Sequence, residues 1–314
     1  VTREARRPDL LVVVGPTGSG KTEVAHAVAL ARGGEVVSAD AFAIYRGLDV
    51  GTAKPTPAQR AEVPYHMLDV ADPEEAYSAG RYAKEARPVV EDIVRRGRLP
   101  VVCGGSGFYV SALLRGLPPG PALSEDVRPR LAKWARSRGA EAAHRLLRMN
   151  DPVSAARIPA ANLKYTLRAL EVLLSTGAAA SSRDASGDRW AERFRVRMLG
   201  LRPARAQLHA RIEDRVRRML DSGWDEEVRR LLDGGLSRDS NSFQAIGYRE
   251  VAEWVLGRTS RDEAELEIVS ATRRLAKRQS TWFAREREIR WVTPEEGVGA
   301  ALGLLSGKAA EETR

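Results

Sequence analysis

Residues 15–22 read GPTGSGKT, and no other stretch restricts the possible folds so tightly. The spacing is G-x-x-x-x-G-K-[ST], with Gly15, Gly20, Lys21 and Thr22 at the defining positions. The apolar run Asp9–Val14 precedes it and the helix-like EVAHAVALAR follows, which is the strand–loop–helix setting the motif requires. In that setting glycines let backbone N–H groups turn inward around phosphate oxygens. The helix that follows points its positive end at them, Lys21 adds a full charge, and the Thr22 hydroxyl is placed to ligate Mg²⁺. A phosphorylated ligand is therefore expected, against the alternative of an unliganded glycine-rich turn. The loop alone does not say whether that ligand is ATP.

With 314 residues the chain can bury a substantial core and is expected to hold two structural units. Its 43% hydrophobic and 30% charged content is that of an ordinary globular protein rather than a disordered one. Lys and Arg number 51 against 42 Asp and Glu, a net charge of +9, and the excess is mostly arginine. Such a field favours polyanions, nucleic acid before an anionic membrane surface, unless it reflects a general use of arginine at solvated positions. Where the charge sits must decide. The single cysteine, Cys103, excludes an intramolecular disulfide framework and a cysteine-based zinc site, and points to the cytoplasm. No apolar run approaches the length needed to cross a membrane. A monomer is expected.

The first third alternates strand and helix: LLVVV, a helix through Arg32, EVVSAD, a short helical AFAIYRG, YHMLDV, a helix from Ser78 to Arg96, and LPVVCGG leading into FYVSALLRG. Apolar strands this continuous, separated by helices, imply an α/β fold with a parallel sheet covered on both faces. LPPGPALS then reads as a linker, and residues from Glu125 to Thr176 as amphipathic helices only, with Leu163, Leu167, Leu170 and Leu174 at helical spacing. GAAASSRDASGD reads as a mobile loop before FRVRMLGL returns to strand character. Helices over Ala204–Leu220, Trp224–Leu232, Tyr248–Leu256 and Arg261 to about Arg287 follow, then a short IRWV strand. The expected division is a core of residues 9–120 and 190–314 and an inserted helical domain of 121–189.

Strand ends in such sheets face the ligand crevice, so Asp40, just past EVVSAD, should lie near the phosphate loop. It could hold Mg²⁺ through water, take a proton from a nucleophile, or merely cap the turn that follows. Asp69 is a second carboxylate at a strand end, for which a cap or loop role is as good a reading. Cys103 reads as a small core residue, since nothing near it in sequence supplies a base.

Five segments, in order, extend the pattern: GPTGSGKT, SADAFAIYRGLDVGTAKP, VVCGGSGFYVSALLRGL, QAIGYREV and ATRRLAKRQSTWF. Together they resemble the successive signatures of the tRNA dimethylallyltransferases, also called tRNA isopentenyltransferases, from Leu10 to about Val292. The resemblance implies a P-loop NTPase-like parallel sheet flanked by helices, with an inserted all-helical domain. It implies a loop that holds dimethylallyl diphosphate rather than ATP, on Gly15, Thr17, Gly18, Ser19, Gly20, Lys21 and Thr22, with Mg²⁺ on Thr22. The nucleophile it implies is the exocyclic amine of the adenosine 3′ of the anticodon, with Asp40 as general base.

The same resemblance places tRNA along Asp40, Ala41, Phe42 and Ala43, and at Ser106, where threonine is the commoner residue. It adds Gln244, Gly247, Tyr248 and Arg249 of QAIGYREV, and Arg168 of the insertion. On the helix ARAQLHARIEDRVRRML it directs an arginine toward the diphosphate, Arg215 in preference to Arg211. On ATRRLAKRQSTWF, Leu275, Gln279 and Trp282 follow one stripe, while Arg274, Lys277, Arg278, Thr281 and Arg285 form an adjoining basic face. Lys277 and Arg278 are expected on phosphates of the anticodon stem-loop and Gln279 on a base edge. Trp282 is expected either in the core or as a stacking platform. The rival readings are a small-molecule or nucleotide kinase, which leaves GTAKP and KRQSTWF unexplained, and a nucleic-acid-binding ATPase.

Overall fold

The computed structural model describes residues 7–116, 126–179, 181 and 189–306. Six strands form one sheet: β1 (Asp9–Val14), β2 (Glu35–Ser38), β3 (Tyr65–His66), β4 (Pro100–Gly104), β5 (Arg195–Leu201) and β6 (Ile289–Val292), in the order β3-β2-β4-β1-β5-β6. All neighbours are parallel, and β1 is central, with Val13 opposite Cys103 on β4 and Leu199 on β5. The uninterrupted apolar run of β1 follows from this position. Leu10, Val12 and Val14 enter the larger core on one face, and Leu11 and Val13 the smaller core on the other.

Helix α1 (Lys21–Arg32) covers the smaller core. Helices α2 (Pro57–Glu62), α3 (Ala79–Arg95) and α4 (Gly107–Arg115) belong to the first half of the chain, α3 being capped by Ser78, whose hydroxyl accepts the Arg81 N–H. Helices α5 (Val127–Arg138), α6 (Ala140–Asn150), α7 (Pro152–Arg157) and α8 (Leu163–Thr176) follow. After β5 come α9 (Arg205–Asp221), α10 (Trp224–Asp233), α11 (Tyr248–Val255), α12 (Arg261–Phe283) and α13 (Gly297–Ser306). Buried residues of α9 to α12 join α3 and α4 in the larger core, and α13 packs with α1 on the smaller one.

The chain divides into two compact units, Val1–Arg115 with Arg189–Arg314, and Gly116–Asp188. The second is held by its own core of Leu131, Ala135, Ala143, Leu147, Ala155, Ala169 and Leu170. Its buried Asp151 accepts hydrogen bonds from the backbone N–H groups of Ser154 and Ser181 and from the Ser181 hydroxyl. Burial opposes the charged form there, but those donors outweigh it and hold the carboxyl at about 2. The LPPGPALS linker and most of the GAAASSRDASGD loop lie outside the described residues.

Four local expectations are corrected. AFAIYRG forms no helix, because the backbone of Ile44 to Arg46 pairs with that of Val70 and Ala71 instead. The YHMLDV strand stops after His66, since Met67 and Asp69 take φ of 60° and 57°. The long helix expected to reach about Arg287 ends at Phe283. Helix α13, whose three glycines hide its periodicity, was not expected.

Candidate active site

The phosphate loop links β1 to α1, and Gly18 and Gly20 take φ of 79° and 86°, which side chains with a Cβ rarely adopt. Glycine at 15 leaves room for Ser19, whose Oγ would sit 2.8 Å from a Cβ there. That hydroxyl is buried without a partner among the described residues. Lys21 makes a single long bond, 3.3 Å to the Pro16 carbonyl. Burial lowers the pKa of its ammonium, and Arg215 pushes the same way while Asp40 opposes.

One open cleft of about 530 Å³ exposes Gly18, Gly20, Lys21 and Thr22 to Arg211, Arg215 and Arg218 of α9. A second, tighter cavity of about 110 Å³ brings Thr17, Lys21, Thr22, Asp40, Ala43, Arg215 and Gln279 together. A third, of about 90 Å³, adds Phe42 and an apolar lining from Val216, Met219, Ile268 and Leu275 to Thr17, Asp40 and Arg215. Arg215 lines all three. Arg211 reaches only the open cleft and is paired with Glu295 at 3.1 Å. Burial lowers the Arg215 pKa, and the charge of Asp40 counters it. Two cations and one carboxylate around a partly dry cavity make a site for an anion.

Of the readings expected for Asp40, the cap is the one its hydrogen bonds display. Its Oδ1 closes a turn, accepting the N–H groups of Phe42 at 2.9 Å and Ala43 at 3.2 Å. Its Oδ2 has no protein partner among the described residues. The end of β4 is fastened beside it: Ala39 donates to the Cys103 carbonyl, and Ser106 donates to the Ala39 carbonyl. The Ser106 hydroxyl accepts the Tyr109 N–H at 3.4 Å and so opens α4. Cys103 is buried, donates to the Lys21 carbonyl and is pushed up to about 12 by burial, which makes it inert.

The remaining expected residues, inside the cavity and away from it, have other engagements. Gln279 does not present a free amide to a base: its Oε1 accepts the Thr17 N–H at 2.8 Å and its Nε2 donates to the Gly105 carbonyl at 3.0 Å. Tyr248 is fully buried and donates to Glu227 at 2.6 Å, so its side chain offers RNA nothing. Gly247 caps α11 through its N–H to Glu250. Gln244 and Arg249 are exposed and Ala41 is half-buried, packed on the larger core. Trp282 is half-buried, lies over Gly107 and tilts against the exposed Phe108 with centroids 5.2 Å apart. Lys277 and Arg278 are exposed and without an ion pair among the described residues; Lys277 shares a groove of about 640 Å³ with Arg202, Arg205 and Arg274. Arg168, in the other unit, is paired with Glu171 at 3.0 Å.

Two groups escaped sequence reasoning. Lys54 is buried, and its ammonium donates to the Tyr45 carbonyl, to Asp49 at 2.6 Å and to Asp69 at 2.5 Å, while Arg60 takes the other Asp69 oxygen at 2.9 Å. Burial alone would raise the Asp69 pKa, but the hydrogen bonds from Lys54 and Arg60 bring it below its ordinary value. Asp69 is thus spent in an ionic clamp that shapes the GTAKP loop, not aimed at a metal. The other is Glu227, buried on α10. Its only signal in sequence was a carboxylate on the same helical stripe as Trp224 and Val228.

The oxygen donors suit Mg²⁺ held jointly with a phosphorylated ligand. Thr22 and Asp40 share one cavity, and no cluster of three His, Cys, Asp or Glu that would cage a metal unaided occurs among the described residues. No described helix is long and apolar enough to cross a membrane.

Comparison with known proteins bears on this site. The family described as IPP transferase matches residues 43–286, and the family described as isopentenyl transferase matches residues 8–69. A tRNA dimethylallyltransferase of Desulfosudis oleivorans is 42% identical over 292 residues, 93% of each chain. That of Methylococcus capsulatus is 42% identical over 313 residues, 99% of this chain and 98% of its own. The structure of the tRNA isopentenylpyrophosphate transferase of Bacillus halodurans superposes with a TM-score of 0.69 at 34% identity, covering 98% of this chain and all of the other. A eukaryotic dimethylallyltransferase solved acting on tRNA shares the fold with a TM-score of 0.82 at 22% identity, covering 98% of this chain and 82% of its own. A parallel sheet, a phosphate loop and relatives matched over nearly their whole length lead to one assignment: the chain belongs to the tRNA dimethylallyltransferase family.

Proposed function

We propose that the protein transfers a dimethylallyl group from dimethylallyl diphosphate to the exocyclic amine of the adenosine 3′ of the anticodon in tRNA, releasing diphosphate. The observation that carries the reading is the meeting of Lys21, Thr22, Asp40 and Arg215 around one cavity in a member of this family. The diphosphate rests on the loop from Gly15 to Thr22, where backbone N–H groups, Lys21 and Arg215 stabilise the charge that grows as the allylic carbon–oxygen bond breaks. Thr22 is the residue that would hold a Mg²⁺ ion together with the diphosphate, and such an ion would help to neutralise the leaving group. The amine nitrogen forms the new carbon–nitrogen bond and its proton passes to Oδ2 of Asp40, whose Oδ1 stays fixed by the turn. A carboxylate is an intrinsically weak base, so the positioning of Asp40 matters more than its basicity.

The adenine must leave its stack, at a cost of a few kcal/mol, and the exposed cations Lys277 and Arg278 offset that by holding the anticodon stem-loop. The test is to incubate the protein with labelled dimethylallyl diphosphate and unmodified tRNA, and in parallel with γ-labelled ATP. Prenyl label in tRNA with no phosphate transfer supports the reading; phosphate transfer without prenyl label replaces it with a kinase.

A further inference from the structure

Helix α10 reaches under the loop that follows Asp40. Glu227 accepts at Oε2 the N–H groups of Asp49, at 2.8 Å, and Val50, at 2.7 Å. At Oε1 it accepts the N–H of Gly51, at 3.3 Å, and the Tyr248 hydroxyl, at 2.6 Å. Three successive backbone N–H groups converging on one carboxylate form an anion nest, here filled by the protein's own side chain. The carboxylate is 2% exposed and has no cation among the described residues. Taking such a charge out of water is costly, and it is held by its donors alone.

Trp224, one turn earlier on the same face, completes the platform. A Cβ on Gly51 would lie 2.2 Å from its indole nitrogen, and one on Gly247 1.9 Å from its ring. The GTAKP loop and the GYREV turn therefore both rest on α10. The part of the loop so fixed carries Thr52, whose hydroxyl donates to the Leu48 carbonyl at 2.5 Å. Thr52 forms a shared wall of the two cavities that meet at Asp40, Thr17 and Arg215.

We infer that Glu227 is a positioning residue of the transfer reaction: it holds the backbone of Asp49–Gly51 and thereby sets Thr52 against the cavity in which Asp40 meets its substrates. This rests on the transferase reading. It concerns a residue that touches no reacting atom, and acts through the loop.

The test is a double-mutant cycle on the single-turnover rate of label transfer to tRNA, assayed well below the melting temperature of every variant. Glu227→Gln keeps one accepting oxygen but puts an NH₂, which cannot accept, in place of the other, so that at least one of the Asp49–Gly51 N–H groups loses its partner and the loop loosens. It should slow transfer on the order of ten- to a hundred-fold, the scale of a small misplacement of reacting groups. Dissociation constants for donor and tRNA should change by no more than about three-fold. Thr52→Ala should slow transfer too, and the double variant should be no slower than about two-fold below the worse single one, because both act on one wall. Multiplying effects, or a lowered melting temperature with an unchanged rate, would overturn the inference.

Should Glu227→Gln fail to fold, Tyr248→Phe, which removes one donor from the same carboxylate, replaces it in the cycle with the same criterion. An inactive wild-type protein in this assay rejects the transferase reading and this inference with it. An active wild type with multiplicative variants rejects the role of Glu227 alone.

Discussion

Gln279 accepts the backbone N–H of Thr17 at 2.8 Å, joining α12, which also carries the exposed Lys277 and Arg278, to the phosphate loop across 262 residues of sequence. Its other end donates to the Gly105 carbonyl, and a Cβ on Gly105 would lie 2.3 Å from that nitrogen, so the amide is wedged between two loops. Gln279→Leu keeps the volume and leaves Thr17 N–H and the Gly105 carbonyl without partners. The expected cost is about 1–3 kcal/mol of stability by denaturant titration. The KM for the prenyl donor should rise several-fold while tRNA affinity holds. A changed preference for the bases flanking the target, at constant donor KM, would instead return Gln279 to a base-reading role.

Asp40→Asn keeps the oxygen that closes the turn to Phe42 and Ala43 and removes only the ability to take a proton. The single-turnover rate should fall by about 10²-fold or more, with donor and tRNA affinities within a few-fold. A near-normal rate in rapid-quench measurements removes Asp40 from the chemistry and leaves it as a cap.

Lys277 and Arg278 are free of ion pairs among the described residues, unlike Arg211, Arg217, Arg261 and Arg273, each of which has a carboxylate partner. Replacing both by Ala should weaken tRNA binding and lower the slope of log K against log salt by about 1.4–1.8, or 0.7–0.9 per phosphate released. The donor KM should stay nearly constant. An unchanged slope in a salt titration would show that this face of α12 does not touch the RNA backbone.

Much of this was legible in the sequence because it is local. The apolar runs of β1, β2, β4 and β5 announce a buried parallel sheet, and the glycine spacing announces the phosphate loop. The helix expected at AFAIYRG was wrong because residues 44–46 spend their backbone bonds on residues 70–71, a preference no local pattern encodes. Glu227, 177 residues from Val50, is a charged side chain whose burial is decided by a distant partner, and Lys54 is buried by a loop that folds back on itself to bring Tyr45, Asp49 and Asp69 around its ammonium, which no spacing pattern announces. Gln279 looked like a reader of bases for the same reason: its spacing showed a face of α12, not the loops that would occupy it.

Glu35 provides a pH prediction away from the cavity. It is buried at the start of β2, and hydrogen bonds from Arg96 hold it down to about 2 against the opposing effect of burial, with His66 assisting at 2.7 Å. A carboxylate depressed on folding stabilises above its unfolded pKa near 4.5, and that contribution is lost as pH falls toward 2. Glu35→Gln should lower the melting temperature at neutral pH and flatten its dependence between those two values. Melting curves that stay parallel to wild type through this window would show that the network is not linked to folding.

The central claim is that a phosphate loop of the nucleotide-binding kind here serves carbon–nitrogen bond formation on RNA. It is tested most directly by mapping the product nucleoside after a single turnover with labelled dimethylallyl diphosphate and an anticodon stem-loop. The prediction is one prenyl group per RNA, on the exocyclic amine of the adenosine 3′ of the anticodon, with one diphosphate released for each group transferred. Label on any other atom, diphosphate released without matching label in RNA, or a requirement for ATP hydrolysis would contradict it.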